Sequence, residues 1–406
     1  MPTPLQIALS RIDELGLISD SPAHLVRTFL SPANLTAARL IQRWMDELGM
    51  QISHSPDGTV RGVLPGANPS APALLLGSHM DTVINAGKYD GALGIISALA
   101  ALQEIAMEGI ILPFPVHVLA FSDEEGTRFH TTYLGSRSMI GELDVETLQA
   151  EDEHGNTLAT AIAQEGWHKD ADLIRYAERD CRGYVELHIE QGRVLEECAE
   201  PACVVSGIAG QSRLSITLTG RADHAGTTPM ALRHDALAGA AECILAAESL
   251  ACSEPPLVIT VGKIQVHPGA SNTIAQSAIF TIDLRHPLDA SRENALAELH
   301  QRFSEITARR GLTLEWHTVQ DCPAILCDNI LTNHLLHSLT AITRSSRLLP
   351  SGAGHDGVIL SKICPIAMLF IRCRAGLSHH PDEYASSEDI ASGIQILTHF
   401  LKSQPA

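Results

Sequence analysis

The 406-residue chain has few basic residues, few aromatic residues and no long uninterrupted apolar run. Its 28 Lys and Arg residues stand against 47 Asp and Glu residues, which gives a formal charge of −19. Because a surface of that sign repels phosphate groups, we expect neither nucleic acid nor an anionic membrane as a partner. The longest largely apolar run, 92–102, is far shorter than the roughly 20 residues that a membrane-spanning helix needs. Residues 1–21 lack the apolar core of a secretory signal, so we expect a cytoplasmic protein.

Cysteine-pairing motifs are also missing. The nine cysteines include no C-x-x-C pair, and their odd number argues against a disulfide framework. We therefore expect buried thiols in a reducing compartment. With 45% hydrophobic and 18% charged residues, the composition is that of an ordinary globular protein, and the length favours two domains.

The most informative stretch is 74–94, LLLGSHMDTVINAGKYDGALG. A short apolar strand runs into a loop that holds His79, Asp81 and Asp90, and an apolar helix is predicted over 91–107. Ligands of open α/β sheets bind where strands end in this way. Asp81 follows His79 closely enough to orient its imidazole, as metal-bound histidines usually require. A metal site is one interpretation; turn-forming aspartates beside a loop histidine are the other.

A second strand, 114–121, ends in the segment SDEEGTRF. Its adjacent carboxylates, Glu124 and Glu125, repel each other unless a cation or a shared proton intervenes. One of them as a metal ligand and the other as a general base would suit hydrolysis. A solvated acidic turn is the alternative for this motif taken alone.

Two further predicted strands, 184–189 and 366–371, bring histidines to similar positions. His188 lies at the end of the first, and His379 and His380 lie in the loop after the second. Three imidazoles and two carboxylates from four separate segments suit a pair of zinc-class ions with one bridging carboxylate. The five candidate ligands are His79, Asp90, Glu125, His188 and His379.

Between these segments the periodicity changes to a strand–helix–strand–strand–helix–strand order. The predicted elements are 213–219, 230–250, 257–266, 273–284, 291–310 and 312–320. This βαββαβ order is typical of a ferredoxin-like unit with a four-stranded sheet. We predict an inserted domain at 207–321 and a discontinuous α/β catalytic domain, 1–206 and 322–406, with a mixed sheet.

With these motifs in place, the sequence resembles the di-metal aminoacylase and carboxypeptidase superfamily. Within it, the sequence is similar to the branch of allantoate amidohydrolases and N-carbamoyl-L-amino acid hydrolases. His188 points to this ureido branch, because peptidase relatives commonly have a carboxylate there. The motifs that carry the resemblance are GSHMDTV at 77–83, YDGALG at 89–94, SDEEGTRF at 122–129, LHIEQG at 187–192, HAGTTPM at 224–230, ASNTI at 270–274, GHDG at 354–357 and GLSHHPDE at 376–383.

The resemblance implies a role for each candidate. Two divalent ions, zinc or manganese, would be held by His79 and His188, by Glu125 and His379, and by Asp90 as the bridge. Glu124 would be the general base, and Asp81 would orient His79. We choose His379 over the adjacent His380 because it keeps the S-H-x-P spacing of the family.

The inserted domain would supply a lid and a dimer interface. His224 would reach over the active site of a partner subunit and polarise the scissile carbonyl. Asn272 and Arg285 would bind the substrate carboxylate, with Gln191 contributing from the catalytic domain. We therefore expect a homodimer that acts on a small anionic ureido substrate.

The resemblance implies an allantoate amidohydrolase that releases ammonia and carbon dioxide, since the segment RTFLSPA at 27–33 looks most like that branch. An N-carbamoyl-L-amino acid hydrolase, which would need an apolar side-chain pocket, is the alternative within the same chemistry. A dipeptidase or aminoacylase that uses the same metals on an amide is a third hypothesis. A non-catalytic metal-binding protein would have no need of Glu124 beside Glu125.

Overall fold

The computed structural model describes residues 2–167, 171 and 174–405. The chain divides into two compact units. Unit 1 comprises Met1–Ser206, Cys327–Leu349 and Ala353–Ala406, and unit 2 comprises Gly207–Leu326 and Pro350–Gly352. Each unit has its own sheet and its own hydrophobic core.

The regular elements, numbered in chain order, are as follows. The strands are β1 (Gln51–His54), β2 (Val60–Leu64), β3 (Ala73–His79), β4 (Val116–Phe121), β5 (Cys181–Ile189), β6 (Ala202–Ile208), β7 (Gly210–Thr219), β8 (Val258–Thr260), β9 (Ile264–His267), β10 (Ser277–His286), β11 (Thr313–Cys322), β12 (Ile325–Leu326), β13 (Leu348–Ser351) and β14 (Ile366–Ile371). The helices are α1 (Pro4–Gly16), α2 (Pro32–Glu47), α3 (Ala92–Met107), α4 (Leu134–Ile140), α5 (Val145–Leu148), α6 (Leu158–Glu165), α7 (Val194–Glu197), α8 (Ala236–Ser253), α9 (Asp289–Arg310), α10 (Asn329–Thr343), α11 (Gly357–Leu360) and α12 (Ser387–Ser403).

The sheet of unit 1 is mixed, as predicted. Its strand order is β1-β2-β4-β3-β5-β14-β6, with β13 beside β6. The four central strands, β4, β3, β5 and β14, are parallel, whereas β1, β2 and β6 pair antiparallel. Every residue of β3 and of β14 is buried, which explains their continuous apolar sequence. Because parallel strands end at the same edge, the loops after all four central strands meet there.

The helices α1, α2, α3, α10 and α12 contribute to the main core of unit 1. The apolar helix α3 is buried along most of its length, as expected for a helix between a sheet and other helices. Asn34, a residue type that often caps helices, lies near the start of α2 but is not its cap. Ser31 is the N-cap and accepts the backbone N–H of Asn34 at 3.1 Å. Asn34 lies inside the helix, where its side chain donates to the carbonyl of Ser122 at 3.0 Å.

Unit 2 has the element order β7, α8, β8, β9, β10, α9, β11, and its sheet is antiparallel in the order β11-β7-β10-β8, with β9 also on β10. Apolar residues that alternate along β7 and β10 pack against α8 and α9, which leaves the other face of the sheet without a helical cover among the described residues. Several boundaries differ from the sequence prediction, and two of the differences are the largest. The strand predicted at 257–266 is split into β8 and β9, and α8 begins at Ala236, capped by Asp235.

One helix among the described residues, α8, is long and apolar enough to cross a membrane. Its buried residues, which include Ala240, Cys243 and Leu250, belong to the core of unit 2. One face of the helix therefore packs in the core of unit 2.

Candidate metal centre

Five candidate ligands lie at the edge of the unit 1 sheet where the central parallel strands end. His79 is the last residue of β3, and His188 is the penultimate residue of β5. Glu125 follows β4, and His379 follows β14. Asp90 lies just before α3. The strand order alone brings these segments together, although they are far apart in the sequence.

One oxygen of Asp90 faces two imidazoles. Asp90 Oδ1 lies 3.3 Å from His79 Nε2 and 3.2 Å from His188 Nε2, and all three residues are buried. His79 Nδ1 and His188 Nδ1 both lie within hydrogen-bond distance of carbonyl oxygens, at 3.2 and 3.0 Å. If each Nδ1 carries the proton, the Nε2 lone pairs point at Asp90, and a cation or a proton must separate them from the carboxylate.

The other oxygen of Asp90 faces a second pair of groups. His379 Nε2 lies 3.6 Å from Asp90 Oδ2 and 3.2 Å from Glu125 Oε1. The same three side chains form a separate group that could hold a metal ion. Asp90 therefore offers one oxygen to each of two ligand sets, which is the arrangement of a bridging carboxylate.

Glycine is required next to Asp90. Gly91 has a φ of +66°, and a Cβ at this position would lie 2.4 Å from Cε1 of His79. Any side chain here would push the imidazole of His79 away from Asp90. The positive φ and the close approach to His79 together explain why glycine follows Asp90.

Asp81 connects the first imidazole to the acidic loop. Its Oδ1 lies 3.2 Å from His79 Nδ1 and accepts the backbone N–H of Glu124 at 3.0 Å. Its Oδ2 accepts the backbone N–H of Glu125 at 3.2 Å. One buried carboxylate thus orients His79 and fixes the loop that carries Glu124 and Glu125.

Several carboxylates are buried together at this edge. Burial, and then the charge of Glu125, raise the pKa of Glu124 well above its usual range. Burial and the charge of Asp81 likewise raise the pKa of Asp123. Burial alone would lower the pKa of His79, but its hydrogen bonds to Asp81 and Asp90 raise it well above the usual value. Such a concentration of buried negative charge is costly unless cations compensate it.

The donor set fits divalent ions. Imidazole nitrogens and carboxylate oxygens are the ligands that zinc and manganese accept. Two further groups, one formed by His79, Glu124 and Glu125 and one formed by Glu186, His188 and His355, also bring ligand atoms close together. Glu186 already accepts hydrogen bonds from the hydroxyl groups of Ser78 and Tyr184, so it stabilises the strands at this edge of the sheet.

Gln191 does not present its donor group outwards. Its Nε2 donates to Asp90 Oδ2 at 2.7 Å and lies 3.2 Å from Ser378 Oγ. The Oε1 atom is buried and has no hydrogen-bond partner among the described residues. Because an amide turns its nitrogen toward a carboxylate, the buried oxygen is the atom of this side chain that is left without a partner within the described part of the chain. The predicted role of Gln191 in binding a substrate carboxylate would need the amide nitrogen, which faces Asp90 here, and it stays a prediction.

The adjacent histidines His379 and His380 have different surroundings. His379 faces Asp90 and Glu125, and its hydrogen bond to Glu125 raises its pKa to about 9. His380 turns toward Asp382, whose backbone N–H it accepts through Nδ1 at 3.1 Å. The geometry of His379, and not that of His380, is that of a ligand.

The remaining predicted residues lie in unit 2. His224 is exposed and accepts the backbone N–H of Gly226 through Nδ1 at 3.0 Å. Its backbone forms a bridge with Thr273, so the segment that carries His224 lies beside Asn272. Arg285 forms a two-point pair with Asp283, with Nε at 2.8 Å and Nη2 at 3.0 Å from the carboxylate oxygens.

Sequence reasoning missed Arg213. Its Nε lies 3.3 Å from Asp283, which is opposite it on the neighbouring strand. Arg213, Asp283 and Arg285 line a cavity of about 520 Å³ on the helix-free face of this sheet. The lining thus carries two arginines and one carboxylate, and Asp283 pairs with both arginines. Period-two alternation along β7 could have placed Arg213 on the same face as Arg285.

Clustered imidazoles and carboxylates at the ends of parallel strands, with a buried carboxyl group of raised pKa beside them, define a metal-dependent hydrolase. The sequence comparison agrees, since the model of Peptidase family M20/M25/M40 matches residues 75–403. The chain belongs to this family, and it is a hydrolase that acts on amide C–N bonds. The family is metal-dependent.

The relatives extend along nearly the whole chain. An allantoate deiminase of Arabidopsis thaliana is 41% identical over 98% of this chain and 82% of its own length. An N-carbamoyl-L-amino-acid amidohydrolase of Pseudomonas sp. (strain NS671) is 37% identical over 97% of this chain and 96% of its own length. The crystal structure of an amidase of the hydantoinase/carbamoylase family from Burkholderia multivorans is 29% identical, with a TM-score of 0.91 over 99% of this chain and 98% of that one.

The two histidines provide a test of the centre. We expect His379→Ala to weaken the binding of Mn²⁺ by about 10- to 100-fold, because one of the two ligand sets loses its imidazole. We expect His380→Ala to bind like the wild type. Titration calorimetry on metal-stripped protein measures both affinities. Equal losses in the two variants, or a loss only in His380→Ala, would contradict the choice of His379.

Proposed function

We propose that this protein hydrolyses a ureido C–N bond in a small carboxylate, with allantoate as the first substrate. The observation that carries the proposal is the two-sided arrangement around Asp90, with the buried Glu124 beside it. The names of the relatives support the ureido chemistry, since they include an allantoate deiminase and an N-carbamoyl-L-amino-acid amidohydrolase.

Five side chains would hold two divalent ions, zinc or manganese. His79 and His188 would hold one ion, Glu125 and His379 the other, and Asp90 would lie between them. Ions bound there supply Lewis acidity, which lowers the pKa of water and polarises a carbonyl group.

Glu124 is the proposed general base. Its carboxylate takes a proton from the attacking water, a new C–O bond forms at the ureido carbonyl, and Glu124 returns the proton to the leaving nitrogen as the C–N bond breaks. The products of this step are ammonia and a carbamate, which then loses carbon dioxide. The burial of Glu124 beside the candidate ligands His79 and Glu125 supports this role, because a general base must lie within reach of the attacking water.

Unit 2 would complete the site. We propose that His224 polarises the scissile carbonyl and stabilises the negative charge that develops on its oxygen. Asn272 and Arg285 would bind the substrate carboxylate, and Arg213 would add a second positive charge on the same face.

Gln191 would recognise the ureido group itself. The amide end of Gln191 that lacks a partner is an oxygen, and an oxygen accepts a hydrogen bond from an N–H group. A carbamoyl group offers such a donor, whereas an acetyl group presents a methyl. Because a site built for a hydrogen bond rejects analogues that lack it, this contact would favour ureido substrates over N-acyl amides.

The alternative substrates follow from the same chemistry. An N-carbamoyl-L-amino acid would use the same ions, Glu124 and Gln191, and it is the second candidate. A dipeptidase or aminoacylase activity is the weaker alternative, because the relatives include an allantoate deiminase and an N-carbamoyl-L-amino-acid amidohydrolase. We also propose a cytoplasmic location, which suits nine cysteines that are all free.

We further propose a homodimer through unit 2. Leu237 and Leu245 on the outer side of α8 are 42% and 64% exposed, and Val258 on the neighbouring edge strand β8 is 55% exposed. An exposed sheet edge beside an apolar helix face favours self-association about a two-fold axis. In such a dimer, His224 would act on the active site of the partner subunit.

A substrate panel tests the proposed function. We expect metal-loaded protein to release ammonia from allantoate with a kcat/KM well above that for N-carbamoyl-L-amino acids. We expect N-acetyl-L-amino acids to react at least about 100-fold more slowly than their carbamoyl counterparts, because Gln191 would lose its partner. Preference for a carbamoyl amino acid would select the second substrate class, and a faster acetyl compound would overturn the ureido proposal.

Glu124→Gln separates catalysis from metal binding. The variant keeps the size of the side chain but cannot take a proton, so we expect kcat to fall by at least about 100-fold. Metal content, measured by mass spectrometry of the loaded protein, should equal that of the wild type. A variant with the wild-type rate would refute the assignment of the base.

Leu245→Asp tests the dimer. A charge on the outer face of α8 should convert the protein to a monomer in sedimentation velocity and reduce turnover in parallel, because His224 would lose its partner site. Leu17→Asp, at a more exposed position of unit 1, is the control and should remain dimeric. A wild type that is monomeric and fully active would rule the interface out.

A further inference from the structure

Glu383 connects the loop of Asp90 to the loop of His379. It lies between β14 and α12, is 5% exposed, and belongs to unit 1. Its Oε1 accepts the backbone N–H of Tyr89 at 2.8 Å and the backbone N–H of Asp90 at 3.0 Å. One buried oxygen thus fixes the backbone of the residue that faces both ligand sets.

The loop that carries Asp90 packs directly against the side chain of Glu383. A Cβ at Gly87 would lie 2.3 Å from Cβ of Glu383, so the Asp90 loop approaches this side chain directly. The backbone N–H of Glu383 donates to the carbonyl of His380 at 3.0 Å, which closes a turn just after His379. The position of Glu383 is therefore tied to that of His379.

A serine hydroxyl adds a second connection. Ser378 Oγ donates to Asp90 Oδ2 and lies 3.4 Å from Glu383 Oε2. The residue before His379 therefore contacts the side chain of Asp90, while Glu383 holds its backbone. Both contacts join the same two loops.

We propose that Glu383 is a positioning residue that sets the distance between the Asp90 carboxylate and His379, and thereby the affinity of the centre for divalent ions. The inference rests on the metal site of the proposed function. Glu383 would act by accepting hydrogen bonds from two backbone N–H groups, which fixes the backbone at Asp90. A backbone shift at Asp90 would move both of its carboxylate oxygens relative to the imidazoles that they face. Outer hydrogen bonds of this kind commonly change metal affinity by about 10- to 100-fold.

The experiment compares two substitutions at this position. Metal-stripped, full-length protein is titrated with Mn²⁺ in a calorimeter. We expect Glu383→Ala to bind Mn²⁺ about 10- to 100-fold more weakly than the wild type. We expect Glu383→Gln to bind within a few-fold of the wild type, because the amide oxygen can accept the same two N–H bonds.

Asp328→Ala is the matched control. One oxygen of Asp328 also accepts two backbone N–H groups, those of Ile330 and Leu331, both at 2.9 Å. These amides begin α10 and belong to no candidate ligand. The control should therefore lose some thermal stability while its Mn²⁺ affinity stays at the wild-type value.

Three results would overturn the proposal. These are wild-type affinity in Glu383→Ala, equal losses in Glu383→Ala and Glu383→Gln, and an equal loss in the Asp328→Ala control. If Glu383→Ala does not fold, Gly87→Ala gives the same test, since its Cβ must displace Glu383. A wild type that binds no Mn²⁺ would refute the metal site itself, whereas one that binds Mn²⁺ but hydrolyses no ureido compound would refute only the proposed substrate.

Discussion

The structure of unit 1 depends on one electrostatic constraint. Asp90 Oδ1 lies little more than 3 Å from the Nε2 atoms of two buried histidines, and its other oxygen faces a third. Acceptor atoms at these separations repel unless a proton or a cation lies between them. The parallel strands, the glycine after Asp90 and the hydrogen bonds of Asp81 all keep these groups together against that repulsion. Such an arrangement is the one expected of a centre that binds cations, because cations compensate buried negative charge.

Much of the fold can be predicted from sequence because its signals are local. The apolar runs of β3, β5 and β14 identify buried strands, and parallel strands necessarily present their carboxyl ends on one edge. Histidines and carboxylates that follow such runs therefore predict a common site, as for His79 and Glu125. Short strands are harder to predict. β8 and β9 are separated by a three-residue interruption, and a continuous β-rich sequence over 257–266 does not reveal where pairing stops.

The sequence does not reveal which side chains from distant segments contact each other. Ser31 and Asn34 are both good helix-capping residues, and only the contact of Asn34 with Ser122 shows that it is occupied elsewhere. The direction of the Gln191 amide depends on Asp90, 101 residues away. In each case the polar side chain could have several partners, and the folded backbone selects one.

Gln191 shows why metal geometry and substrate choice would be coupled in this centre. The same amide donates to Asp90 and leaves an acceptor for a ligand, so its orientation is set by the carboxylate between the two ligand sets. A glutamate in its place would put another negative charge against Asp90, and an apolar residue would remove both contacts. If Gln191 selects a ureido N–H, that selection would also constrain the position of Asp90. Within this proposal, a change of substrate would have to alter residues beside Asp90 as well as residues of unit 2.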